Sequence, residues 1–107
     1  MVRSAAEVDR ISHQALATLE KELPITAAFL FGSYAEGGAH SSSDIDLAVF
    51  TPERARLRIA EKSRLQLQLQ RLCALDLELH LYPADALNRA RRTNFYGYLL
   101  EHGKRLR

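Results

Sequence analysis

The sequence predicts an α/β (α+β) fold: a small mixed β-sheet of three or four strands, with helices packed on one face and a polar site on the other. Three observations predict it. Ile25 to Phe31 is a short apolar run rich in large side chains, the pattern of a buried strand. A second run, Ile45 to Phe50, follows directly on an Asp44-Ile45-Asp46 step. Leu75 to Leu81 alternates strictly between apolar and polar residues, the period of a strand with one wet face. Strong helix formers occupy the segments before, between and after these runs.

The elements follow in chain order. Ser4-Ala5-Ala6-Glu7 has the form of a capping box and predicts a helix from about residue 5. Val8, Ile11, Ala15, Leu16, Leu19 and Leu23 recur at helical spacing, and Pro24 ends the helix. His13 lies between Ser12 and Gln14 and reads as a surface histidine. The first strand ends at Gly32-Ser33, where Ser33 can cap a short helix. The loop Gly37 to Ser43 is small and polar, hence mobile and exposed. Pro52 closes the second strand, and Glu53 to Leu72 reads as helix. Within it Leu65-Gln66-Leu67-Gln68-Leu69-Gln70 alternates like a strand, yet Ile59, Leu65, Leu69 and Leu72 fit a helical stripe, so helix is the expectation. The polar face of the third strand holds Asp76, Glu78 and His80. Tyr82-Pro83 turns the chain into a last helix, capped by Asp85 and running to about His102. Gly103 stops it, and Gly97 with the polar run Arg91 to Asn94 marks the point of a break into two pieces.

A chain of 107 residues is read as one domain, 1–107, with a modest core and no internal repeat. No apolar run approaches a membrane span, and MVRSAAEVDR has no signal-peptide core. The single cysteine, Cys73, excludes an internal disulfide and a cysteine zinc site. A cytoplasmic location is the expectation that follows. The net charge of +2 hides an asymmetry: residues 1–50 carry −4 and residues 51–107 carry +6. The basic half suits a nucleoside triphosphate, a nucleic acid or an acidic partner surface.

The chemistry concentrates between Phe29 and Phe50. Gly32 lets the backbone approach a ligand closely, and the N–H groups of a helix start suit phosphate. In an extended chain Asp44 and Asp46 share one face, about 6.6 Å apart, a spacing that suits a pair of magnesium ions. Such ions could clamp the attacking and leaving oxygens of a phosphoryl transfer. Gly-Ser, ten residues, then Asp-x-Asp arises by chance in roughly one chain of this size in a thousand. Acids within an apolar strand also cost stability unless they are solvated or metal-bound.

The segment Gly32-Ser33-Tyr34-Ala35-Glu36-Gly37, with Ser43-Asp44-Ile45-Asp46-Leu47, resembles the signature of the minimal nucleotidyltransferases of the DNA polymerase beta superfamily. The resemblance extends over most of the chain, to the acid at Asp76 and the ending Glu101-His102-Gly103-Lys104-Arg105-Leu106. It is greatest to the adenylyltransferase antitoxins of HEPN–nucleotidyltransferase (HEPN–MNT) toxin–antitoxin pairs. The resemblance implies a polymerase-beta-like nucleotidyltransferase fold and a magnesium-dependent enzyme, with two Mg2+ ions and ATP as substrate. It implies that Gly32 and Ser33 bind the nucleotide and that Asp44, Asp46 and Asp76 are the catalytic, metal-binding acids, with Glu78 one step along the same face. It implies AMP transfer to a tyrosine hydroxyl of a HEPN-type ribonuclease toxin, with no membrane and no required contact to nucleic acid. Two departures stand out: the family often has a basic residue at the position of Glu36, and it often ends in tyrosine where this chain has Lys104-Arg105-Leu106-Arg107. Two further classes stay open: an antitoxin that works by binding alone, and a nucleotidyltransferase acting on a small molecule or RNA end. A HEPN-like neighbouring gene would support AMP transfer to a toxin or binding alone over the third class.

Overall fold

The computed structural model describes residues 2–107. Helix α1 (Ala5–Glu20) opens with the expected capping box: Ser4 Oγ accepts from the Glu7 N–H, and the Glu7 carboxylate accepts from the Ser4 N–H. Strand β1 (Ala27–Phe31) and a one-turn helix α2 (Ser33–Glu36) follow, then β2 (Ile45–Thr51). Beyond a 3-10 turn at Arg54–Arg56 come α3 (Ile59–Leu72) and β3 (Leu77–Pro83). A 3-10 segment, Ala84–Arg89, leads to α4 (Phe95–His102) and a short last strand, β4 (Lys104–Arg105).

The strands form one mixed sheet in the order β3-β2-β1-β4. Strand β1 runs antiparallel to β2 and β4, and β2 runs parallel to β3, with α3 as the crossover. This is the mixed four-strand α/β architecture that the sequence predicts. The basic tail, without a structural role in the sequence reading, supplies the fourth strand beside Phe29 and Leu30.

Alternation along the strands divides the side chains between two faces. Ala28, Leu30, Ile45, Leu47, Val49 and Leu77 pack with α1 and α3 in the main core. Ala27, Phe29, Ala48 and Phe50 form a second cluster on the opposite face, with Ala86, Leu99 and partly buried Phe31, Tyr82, Phe95 and Tyr96. The second face is therefore open only in part. Phe29 and Phe50 are both 2% exposed or less, because the Ala84–Arg89 segment and α4 fold over them. Phe50 meets Phe29 and Tyr96 edge-on, with ring centroids 6.1 and 6.0 Å away.

Helix α3 begins later than the sequence suggests, after a 3-10 turn and an extended Leu57. Its stripe is shorter too: Leu65 and Leu69 are buried, whereas Ile59 and Leu72 are 79% and 57% exposed. The Leu-Gln alternation has a second purpose. Gln66 and Gln70, four apart, lie on one side of the helix beside the edge strand β3. Gln66 Nε2 donates to Leu77 O (2.8 Å) and its Oε1 accepts from the Leu79 N–H (2.7 Å). Gln70 Nε2 donates to Leu75 O at 3.1 Å. A side-chain amide thus replaces a neighbouring strand and blunts the exposed edge.

The last helix breaks where Arg91–Asn94 marks the point. Asn94 caps α4 through its Oδ1, which accepts from the Gly97 and Arg91 N–H groups, each at 3.0 Å. Asp85 caps nothing and pairs with Arg89. Gly97 lets the turn close onto the helix, since a Cβ there would lie 1.8 Å from Arg91 O.

A long-range tie fixes the start of α1. Arg3 makes two charge-assisted bonds to Asp76, Nε to Oδ2 (2.8 Å) and Nη2 to Oδ1 (2.9 Å), and its N–H donates to Tyr34 Oη (3.1 Å). The Arg3 guanidinium holds the Asp76 carboxyl below the usual carboxylate range, against an opposing push from burial. A carboxyl with a lowered folded value contributes stability above its unfolded value and loses it as the pH falls through the folded one.

Two outcomes follow from the fold. Arg3→Met should lose about 1 kcal/mol at neutral pH, since both side chains are about 30% exposed. Urea titrations of wild type and variant should converge as the pH drops below about 4. Gly97→Ala should cost about 2–4 kcal/mol in the same assay, because the clash is with backbone.

Candidate functional site

The end of β1 meets β2 at a point where only a glycine fits. Gly32 has φ 81°, a left-handed conformation, and a Cβ there would lie 2.6 Å from Asp46 Oδ2. The backbone therefore passes directly beside a carboxylate. Helix α2 starts at once, with the Ala35 and Glu36 N–H groups bonded to Gly32 O. The first N–H groups of such a turn have no intrahelical partner and face outward as donors. Ser33 does not cap this helix. Its Oγ donates to Ser43 Oγ (2.9 Å), which also accepts from the His40 N–H (2.9 Å). The Gly37–Ser43 loop is thereby tied to the turn.

Strand pairing assembles the acids. Asp46 sits opposite Phe31 of β1 on one side and Glu78 of β3 on the other. His80, two residues further along β3, pairs with the small Ala48 and leans back to Asp46, its Nε2 3.4 Å from Oδ1 and 3.9 Å from Glu78 Oε1. One ligand atom from each of Asp46, Glu78 and His80 lies within 4.8 Å of the others. Phe31 packs edge-on against the His80 ring at 5.1 Å and walls one side. Asp44 is exposed and lines a hollow of about 380 Å³ with Glu78 and His80.

Of the residues singled out in the sequence, Gly32 and Asp46 touch, Ser33 is one residue away on the same turn, and Asp44 stands at the rim. Asp76 lies outside the group: it precedes β3, its carbonyl accepts from the Ile45 N–H, and its carboxylate is engaged by Arg3. Glu78 and His80 take the inner positions. The alternation of β3 places both on the polar face, but nothing in a single chain sets the register that puts Glu78 beside Asp46.

The donor set fits a divalent cation. Two carboxylates and a rim acid suit a hard ion such as magnesium, which binds oxygen and keeps several waters. Imidazole suits softer metals. With magnesium, His80 would serve by hydrogen-bonding and orienting the Asp46 carboxylate.

Glu36 also finds partners. Tyr98 of α4 donates its hydroxyl to the Glu36 carboxylate, and His102 Nδ1 lies 3.9 Å from it. That bond, helped by burial, pushes the Tyr98 hydroxyl pKa up. An acid at the rim of the phosphate-suited turn is thus held by α4.

Comparison with known proteins bears on the fold and the family. Polymerase beta nucleotidyltransferases, as a family model, match residues 13–104. The chain is similar to a crystal structure of a toxin–antitoxin with AMP-PNP, at 24% identity and a TM-score of 0.63, covering 91% of this chain and 70% of that one. It is also similar to a mutant of the toxin–antitoxin MntA–HpeT, at 27% identity and a TM-score of 0.60, covering 90% and 71%. No curated protein matches it. With nearly its whole length matched, and with the Gly32 turn set against Asp46, the chain belongs to the polymerase beta nucleotidyltransferase family.

Proposed function

We propose that this chain transfers AMP from ATP to a tyrosine hydroxyl of a partner HEPN ribonuclease toxin and so acts as its antitoxin. The observation that carries this reading is the grouping of Glu78 and His80 with Asp46, whose carboxylate lies against the Gly32 turn. The similarity to the MntA–HpeT toxin–antitoxin supports the choice of a protein partner.

The roles follow from the geometry. Backbone N–H groups of the Gly32-Ser33 turn bind the triphosphate, and close approach is possible because Gly32 carries no side chain. Asp46 and Glu78, with Asp44 at the rim, would hold magnesium, two ions in the reading from the sequence. Bound there, magnesium supplies charge neutralisation for the phosphates and for the pyrophosphate leaving group. As the tyrosine oxygen bonds to the α-phosphorus and pyrophosphate leaves, a carboxylate oxygen of this group would take the hydroxyl proton, and His80 fixes the Asp46 carboxylate. Asp76, expected as the third acid, acts in this reading through Arg3, by fixing the N-terminus against the start of β3. Catalysis rests mostly on positioning and electrostatics, as in other phosphoryl transfers.

One observation favours a second reading, an antitoxin that acts by binding alone. Glu36 puts negative charge beside the turn that would grip phosphates, and Tyr98 holds it there.

The test is incubation with the protein encoded by the adjacent gene, magnesium and each labelled nucleoside triphosphate, followed by intact mass. One or more AMP units should appear on the partner. Asp46→Asn should slow the transfer about 1,000-fold or more while the fold, read by circular dichroism, stays the same. A stable complex with no mass gain would replace this reading with the binding-only one.

A further inference from the structure

Three of the most exposed large apolar side chains lie on or just after α3: Ile59 (79%), Leu67 (63%) and Leu75 (82%). They line two open grooves, one of about 660 Å³ between α3 and β3 and one of about 550 Å³ along α3 as far as Leu75, which share Ser63 and Leu67 and so form one band. The charged side chains lining the band are Arg54, Lys62, Arg64 and Arg71, with no Asp or Glu among the lining residues. The larger groove also shares Gln66, Leu79 and His80 with the hollow that holds Asp44 and Glu78. The band thus leads to the acidic group.

We infer that this band is a docking face for an acidic amphipathic helix of the partner protein, which delivers the acceptor hydroxyl to the site. The inference rests on the reading above that the chain acts on a protein. Aliphatic knobs ringed by cations complement a helix with an apolar stripe and acidic flanks. A β-strand is a poor occupant, because Gln66 and Arg54 already take the edge groups of β3 at Leu77, Leu79 and Leu81. A second copy is disfavoured: a two-fold contact through this band would set the patch holding Lys62 and Arg71 against the same cationic patch of the other copy, while Arg64 is already paired with Glu22. Nucleic acid is disfavoured because the exposed knobs Ile59, Leu67 and Leu75 are aliphatic, and the two rings at the end of the band, His80 and Tyr82, are already packed against Phe31 and against Phe50, Phe95 and Tyr96.

The experiment measures binding to the adjacent-gene protein by calorimetry, and AMP transfer by intact mass, in the same samples. Leu67→Asp with Leu75→Asp should weaken binding roughly 30-fold. Lys62→Glu with Arg71→Glu should weaken binding about tenfold and flatten its salt dependence. Asp46→Asn should bind as wild type does. These surface variants should keep the wild-type melting temperature, which separates lost docking from lost folding. Unchanged binding by the Leu67/Leu75 variant overturns the inference, as does no binding by wild type. Self-association of the chain that depends on Leu67 overturns it too, in favour of a second copy, and RNA binding that depends on Lys62 and Arg71 overturns it in favour of nucleic acid. Leu67-dependent binding without AMP transfer would support the docking face and sink the transfer reading.

Discussion

The parallel pairing of β2 with β3 is the constraint on which the site depends. It sets Asp46 beside Glu78 and Ala48 beside His80, so that three polar side chains emerge together from one face of the sheet. Strand side chains alternate, so a slip of one residue would send Asp46 into the main core and Leu47 to the wet face. Burial of Ile45, Leu47 and Val49 under α1 and α3 therefore fixes the position of a carboxylate that touches none of them. Packing and chemistry are the same decision here, taken on alternate residues.

A second constraint works across the β1–β2 pair. Phe31 stands opposite Asp46, and the next residue is the glycine whose missing Cβ leaves room for that carboxylate. The turn can sit beside the acids because nothing projects from it. The aromatic cluster of Phe29, Phe50, Tyr82, Phe95 and Tyr96 then covers the far part of this face, which leaves the end near Asp46 and Glu78 accessible. Helix α4, anchored by Asn94 and Gly97, reaches back through Tyr98 to Glu36. That contact gives the unusual acid a structural partner.

Local signals were legible in the chain: the capping box at Ser4, the Gly32 turn, the Asp44-Ile45-Asp46 step and the alternation of β3. Each is written within a few residues, where spacing and residue type decide conformation. What escaped involves distant partners. Arg3 meets Asp76 across 73 positions, and no pattern within either segment announces it. Gln66 and Gln70 read as polar filler until the edge of β3 lies beside them. The exposure of Ile59 and Leu72 depends on where α3 sits over the sheet, not on their spacing. Asp76 and Glu78 share a polar alternation, and only strand register and the reach of Arg3 separate them. The third acid is thus the part of the site that a single sequence describes least well.

In the proposed reading Asp46 and Glu78 hold the cation, while the Asp76 carboxylate is engaged by Arg3. The direct measurement is Mn2+ binding, followed by electron paramagnetic resonance in the presence of a non-hydrolysable ATP analogue. Wild type, Glu78→Gln and Asp76→Asn are compared. Loss of the ligand should weaken Mn2+ about 10–100-fold in Glu78→Gln and leave Asp76→Asn within about twofold of wild type. The reverse order, with Asp76→Asn losing the ion and Glu78→Gln keeping it, would contradict the account.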